Sequence, residues 1–143
     1  MGITAEQKDQ LRKISETYNL RFIILHGSYA KRTSRPGSDF DVAILGKRYI
    51  DGRSYLKIFG ELENVFGNNE ERELDMKTLH HVDPLFRYQV TRDSVLLCGN
   101  PAEYEEFKAY AFRDYMDSKD LRDLEEVLLR KSITKFSNHY ARS

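Results

Sequence analysis

Apolar positions along this chain alternate between helical spacing and short continuous runs. Leu11, Ile14 and Tyr18 follow Thr4-Ala5-Glu6-Gln7, which has the form of a capping box, so the spacing predicts a helix over about 5–18. Arg21–His26 is a compact apolar run with β-branched members, as expected of a strand buried on both faces. Residues 28–34 are expected to form a short helix, Arg35-Pro36-Gly37-Ser38 is turn chemistry, and Phe40–Leu45 reads as a second strand. Tyr55, Leu56, Phe59, Leu62, Val65 and Phe66 mark an amphipathic helix that Gly67-Asn68-Asn69 stops. Leu74, Met76 and Leu79 suggest a third strand, with Asp75 on its opposite face. Asp83-Pro84 supplies an N-cap and a proline at the first helical position, opening a helix to about Arg92; Val95–Cys98 is a last short strand. Asn100-Pro101 repeats that helix-start chemistry, and 101–117 and 119–135 read as two helices; the tail FSNHYARS carries no pattern.

This order predicts an α/β (α+β) architecture, a small mixed sheet with flanking helices and a helical C-terminus. The 143 residues suit one domain over 1–143, with its core over about 20–98. A single cysteine, Cys98, excludes an internal disulfide and leaves little for a cysteine-based zinc site. No run reaches the ~20 apolar residues of a membrane span, and MGITAEQKDQ lacks the apolar core of a secretion signal, so a cytoplasmic protein is expected. Net charge is zero, which gives no global field for nucleic acid. Locally, positions 1–48 hold nine basic and five acidic residues, against six and nine over 49–100.

That local excess surrounds the most informative motif. Gly27-Ser28 follows an apolar strand and offers backbone N–H groups and a hydroxyl, a donor set suited to phosphate. Ten residues on, Asp39 and Asp41 stand at i and i+2 in SDFDVAIL, so their carboxylates share one strand face about 7 Å apart. Hard oxygen ligands facing a phosphate cradle suit a Mg²⁺–triphosphate site, which points to nucleotidyl transfer. Asp75 is the candidate third carboxylate, with Glu73 the alternative if the register differs by two. Lys31 is a candidate for triphosphate neutralisation, although charge clusters are more often solvated faces. His80-His81 lacks the partners of a tetrahedral zinc set and reads as surface. Core packing accounts for most of the aromatic series Tyr104, Phe107, Tyr110, Phe112 and Tyr115.

GSYAKRTSRPGSDFDVAIL resembles the signature of the minimal nucleotidyltransferases of the polymerase-beta-like superfamily, most closely the antitoxin subunits of HEPN/MNT toxin–antitoxin pairs. The likeness continues through Leu74-Asp75-Met76 and DPLFRYQVTRDSVLL, spanning about 20–98. The resemblance implies that Gly27 and Ser28 bind the β- and γ-phosphates of ATP. It places Asp39 and Asp41 on Mg²⁺, two ions being expected, with Asp75 as the third carboxylate. It implies transfer of AMP from ATP to a tyrosine hydroxyl of a partner HEPN ribonuclease toxin, which silences the toxin. Two positions depart from the family pattern: Arg32 stands where glycine is usual, and His26 where a larger apolar residue is usual. The competing readings are a binding-only antitoxin and a nucleotidyltransferase for a small molecule such as an aminoglycoside. The carboxylate trio argues against the first, and the short chain after Cys98 against the second.

Overall fold

The structure is a computed structural model and describes residues 2–141. Its elements are α1 (Ala5–Tyr18), β1 (Leu20–His26), α2 (Gly27–Lys31), β2 (Phe40–Gly46), α3 (Gly52–Phe66), β3 (Leu74–Thr78), α4 (Pro84–Arg92), β4 (Val95–Cys98) and α5 (Pro101–Ala141). The strands form one mixed sheet in the order β3-β2-β1-β4, with β2 and β3 parallel and the other pairs antiparallel.

The helix starts follow their caps. Thr4 and Gln7 bond reciprocally across the first turn of α1, Asp51 accepts from the Ser54 amide ahead of α3, and Asp83 accepts from the Leu85 amide ahead of α4. Both sheet faces are covered. On one side, Ile23, Leu25, Val42, Ile44 and Met76 pack with Leu11 and Ile14 of α1 and Ile58 and Leu62 of α3. Gln7 Nε2 donates to the Val65 carbonyl and ties those two helices together. On the other side, Phe22, Ile24, Ala43 and Leu45 pack with Val90 of α4 and with Tyr104 and Phe107 of α5. Each fully buried aliphatic side chain contributes on the order of 2 kcal/mol, so this two-sided burial dominates the fold's stability. The Arg87–Asp114 ion pair, at 3.0 Å, links α4 to α5.

Two expectations need correction. The two predicted C-terminal helices are one, α5, which runs unbroken from Pro101 through the unpatterned tail to Ala141. No glycine or proline occurs between 102 and 141. Ser118, at the expected break, does not cap a new helix; its hydroxyl donates back to the Tyr115 carbonyl and accepts from Arg122. The short helix predicted over 28–34 is instead Gly27–Lys31, stopped by Arg32 in the left-handed region at φ 60°. The Arg32 amide bonds the Ser28 and Tyr29 carbonyls there, a capping geometry that normally calls for glycine.

An arginine in this conformation costs about 1 kcal/mol. Replacing Arg32→Gly should therefore stabilise the protein by a few tenths to about 1 kcal/mol, part of the gain being offset by the freer unfolded glycine. Urea denaturation measures this, and a lower midpoint for the variant would contradict it.

Candidate active site

Strand register assembles the site. β1 runs antiparallel to β2 with His26 opposite Asp41, while β2 runs parallel to β3 with Asp41 opposite Asp75. Side chains alternate along a strand, so Asp41 lies on the face of Ala43, the side covered by α4 and α5. Asp75 lies on the face opposite Leu74 and Met76, whose side chains belong to the α1/α3 core. Asp39 reaches the same place from the segment entering β2. One carboxylate oxygen from each of Asp39, Asp41 and Asp75 falls within 4.8 Å of the others. Glu73 is not part of this cluster.

Gly27 faces the trio at the junction of β1 and α2. Its φ of 72° is unfavourable for any other residue, and a Cβ there would overlap the Asp41 Oδ2 carboxylate oxygen. The glycine thus lets the backbone approach the carboxylate. Ser28 follows in the first turn of α2, where backbone amides lack intrahelical partners. Among the described residues its hydroxyl has no hydrogen-bond partner. An aromatic stack fixes α2 against β2: the Tyr29 ring meets Phe40 edge-on at 5.3 Å, and the Arg72 guanidinium lies 4.6 Å from the Phe40 ring centre.

The electrostatics follow from crowding. Burial, then the charges of Asp75 and Asp39, push the Asp41 carboxyl up from 3.8 to about 6, with Lys77 opposing the shift. Three hard oxygen donors that repel one another are a donor set suited to a divalent cation, whose charge would reverse that penalty. Lys77 pairs with Asp75 at 3.6 Å. Sequence reasoning missed it, although its place two residues beyond Asp75 on a strand was the available signal. Lys31 is exposed at the end of α2 and makes no ion pair among the described residues. Burial also lowers the His26 pKa, partly countered by Asp75, and its Nε2 is buried without a hydrogen bond. His80 accepts a hydrogen bond from the Gly46 amide at 3.0 Å, a structural duty rather than a metal-binding one.

Residues 9–103 match the family described as polymerase beta, nucleotidyltransferase, and the match takes in every residue of this cluster. The chain belongs to that nucleotidyltransferase family. A Methanocaldococcus jannaschii protein provisionally named a protein adenylyltransferase is 29% identical over 104 residues, 73% of this chain and 71% of that protein. Among solved structures, a toxin–antitoxin with AMP-PNP is similar, with a TM-score of 0.67 and 21% identity, over 85% of this chain and 98% of the other. An MNT antitoxin complexed with a tri-AMPylated Shewanella oneidensis HEPN toxin gives a TM-score of 0.63 at 19% identity, over 86% and 97%. These two likenesses show the polymerase-beta-like fold. As in the sequence expectation, it is a mixed sheet with flanking helices and a helical C-terminus.

Two outcomes follow for this nucleotidyltransferase. Because the folded pKa of Asp41 is raised, its contribution to stability is present below about pH 3.8 and lost as pH rises through about 6. Asp41→Asn should thus raise Tm at pH 7.5 in EDTA, and the gap should shrink at pH 5 or on adding a divalent cation; a lower Tm for the variant in EDTA would contradict this. Gly27→Ala should expel the Asp41 carboxylate and cut nucleotidyl transfer by about 100-fold or more, measured as release of pyrophosphate by folded protein.

Proposed function

We propose that this protein transfers AMP from ATP to a tyrosine hydroxyl of a HEPN ribonuclease toxin and so acts as its antitoxin. The observation that carries the reading is the carboxylate trio set across paired strands against the glycine turn, in a member of the nucleotidyltransferase family. The adenylyltransferase name of the archaeal relative and the AMPylated toxin in a similar complex support the choice of a protein acceptor.

In this reading the amides of Gly27 and Ser28 and the Ser28 hydroxyl receive the β- and γ-phosphates, and Lys31 offsets their charge. Asp39, Asp41 and Asp75 would hold Mg²⁺, two ions in all, whose charge when bound stabilises the triphosphate and the departing pyrophosphate. Asp75 lies across from Asp41 and takes the proton from the attacking hydroxyl. That hydroxyl oxygen forms a bond to the α-phosphorus as the bond to the bridging oxygen of the β-phosphate breaks, and pyrophosphate leaves. The product places bulk and negative charge on the toxin's tyrosine, which repels RNA phosphates from a nearby ribonuclease site.

Asp39→Asn should reduce transfer by about 1,000-fold or more, because it removes charge complementary to the cations. Asp75→Asn should retain ATP affinity within about threefold yet lose most turnover, since its role is on the acceptor side. Intact-mass measurement of the co-expressed toxin reads the first outcome, where wild-type protein should add one or more AMP groups and Asp39→Asn none. A toxin left unmodified but neutralised by both proteins would reject transfer in favour of masking. Calorimetric titration with a non-hydrolysable ATP analogue reads the second.

A further inference from the structure

The fold turns one basic side chain, Lys77, toward the acidic trio. Strand alternation decides its direction. Met76 is buried in the α1/α3 core, so its neighbours Asp75 and Lys77 both project from the opposite face of β3. The Tyr55 hydroxyl holds the Met76 carbonyl and Met76 is 3% exposed, which keeps the strand from turning over. The parallel register sets Lys77 beside Ala43, two positions along β2 from Asp41. The lysine charge reaches two members of the trio from there. Its ammonium lies 3.6 Å from Asp75, and it opposes the upward shift of the Asp41 carboxyl. Of the three carboxylates, Asp75 alone is ion-paired among the described residues.

The pair is built to come apart. At 3.6 Å it is longer than the about 2.7–2.9 Å of a charge-assisted hydrogen bond. Neither partner is enclosed: the Lys77 side chain is 49% exposed and that of Asp75 37%. A strongly hydrated ammonium on a flexible four-carbon stem can therefore swing into water at small cost. One ammonium offsets only part of the repulsion among three acids. A divalent cation carries twice the charge and takes oxygens from several carboxylates at once, so it neutralises the trio more completely. Two positive charges on one carboxylate repel each other, and the bound divalent ion favours release of the lysine.

We infer that Lys77 is a placeholder cation for the trio: it holds the Asp75 carboxylate while no divalent ion is bound and gives it up when one binds. The lysine thereby weakens the site's divalent affinity and raises the ion concentration at which the site fills. This rests on the reading of the trio as a divalent-cation site.

The test is Mn²⁺ binding to the full chain without nucleotide, read from the electron paramagnetic resonance signal of the free ion. The wild type should bind Mn²⁺, and Asp39→Asn should lose most of that binding. Lys77→Met and Lys77→Gln should each bind Mn²⁺ about three- to fivefold more tightly, the scale of a half-exposed ion pair. Lys77→Arg keeps the charge and should bind no more tightly than the wild type. In an Asp75→Asn background the gain from Lys77→Met should fall below about twofold, because the contested carboxylate is gone. A general field of the lysine charge would survive that change. A wild type that binds no Mn²⁺, or Asp39→Asn binding it equally well, would overturn the divalent-site reading and this inference with it. Wild-type binding that both neutral variants leave unchanged or weaken would overturn this inference alone. So would an undiminished gain in the Asp75→Asn background.

Discussion

Mutual repulsion among three carboxylates is the constraint on which this structure turns. Asp39, Asp41 and Asp75 cost the fold free energy when ionised together, and burial, reinforced by that repulsion, holds the Asp41 proton to about pH 6. The surrounding architecture makes the arrangement unavoidable. β2 is fixed between β1 and β3 by hydrogen bonds on both edges and by side chains buried on both faces, so Asp41 cannot slide from its place beside Asp75 without dislocating Val42, Ala43 and Ile44. Stability gained across the sheet thus sustains a locally unfavourable cluster at its end, as functional sites commonly require.

The surrounding contacts show how little freedom is left. The Tyr29–Phe40–Arg72 stack locks α2 to the first residue of β2, and the Tyr55 hydroxyl donates to the Met76 carbonyl, anchoring α3 to β3 one residue beyond Asp75. Lys77, paired with Asp75, gives the acids a resident counter-charge that a bound cation would have to share or displace. The chain therefore brings acids, a glycine turn and a lysine to one end of the sheet by backbone register more than by long, mobile side chains.

Much of this was legible in the sequence, for identifiable reasons. Thr4 with Gln7, and Asp83 with Pro84, announce helix starts because their chemistry is local. The i and i+2 spacing of Asp39 and Asp41 reports a shared face because strand geometry has period two. Other features depend on contacts between distant segments. That Asp75 rather than Glu73 joins Asp41 is decided by the parallel β2–β3 register. That Gly27 must be glycine depends on where Asp41 arrives, fourteen positions away by number yet in direct contact. The unbroken α5 was misread at Ser118 because a serine that caps a helix and one that bonds back within a helix are the same letter.

The parallel pairing of β2 with β3 has a consequence for how the protein comes into being. Antiparallel neighbours can zip from a turn, but a parallel pair waits for its crossover, here α3, to dock across the sheet. Asp41 and Asp75 meet only when that loop has closed, so the acidic centre depends on a non-local strand contact and not on local chain chemistry. A nascent or partly unfolded molecule accordingly lacks the assembled trio, and any cation or nucleotide that binds there acts selectively on the finished fold, drawing the population toward it by mass action.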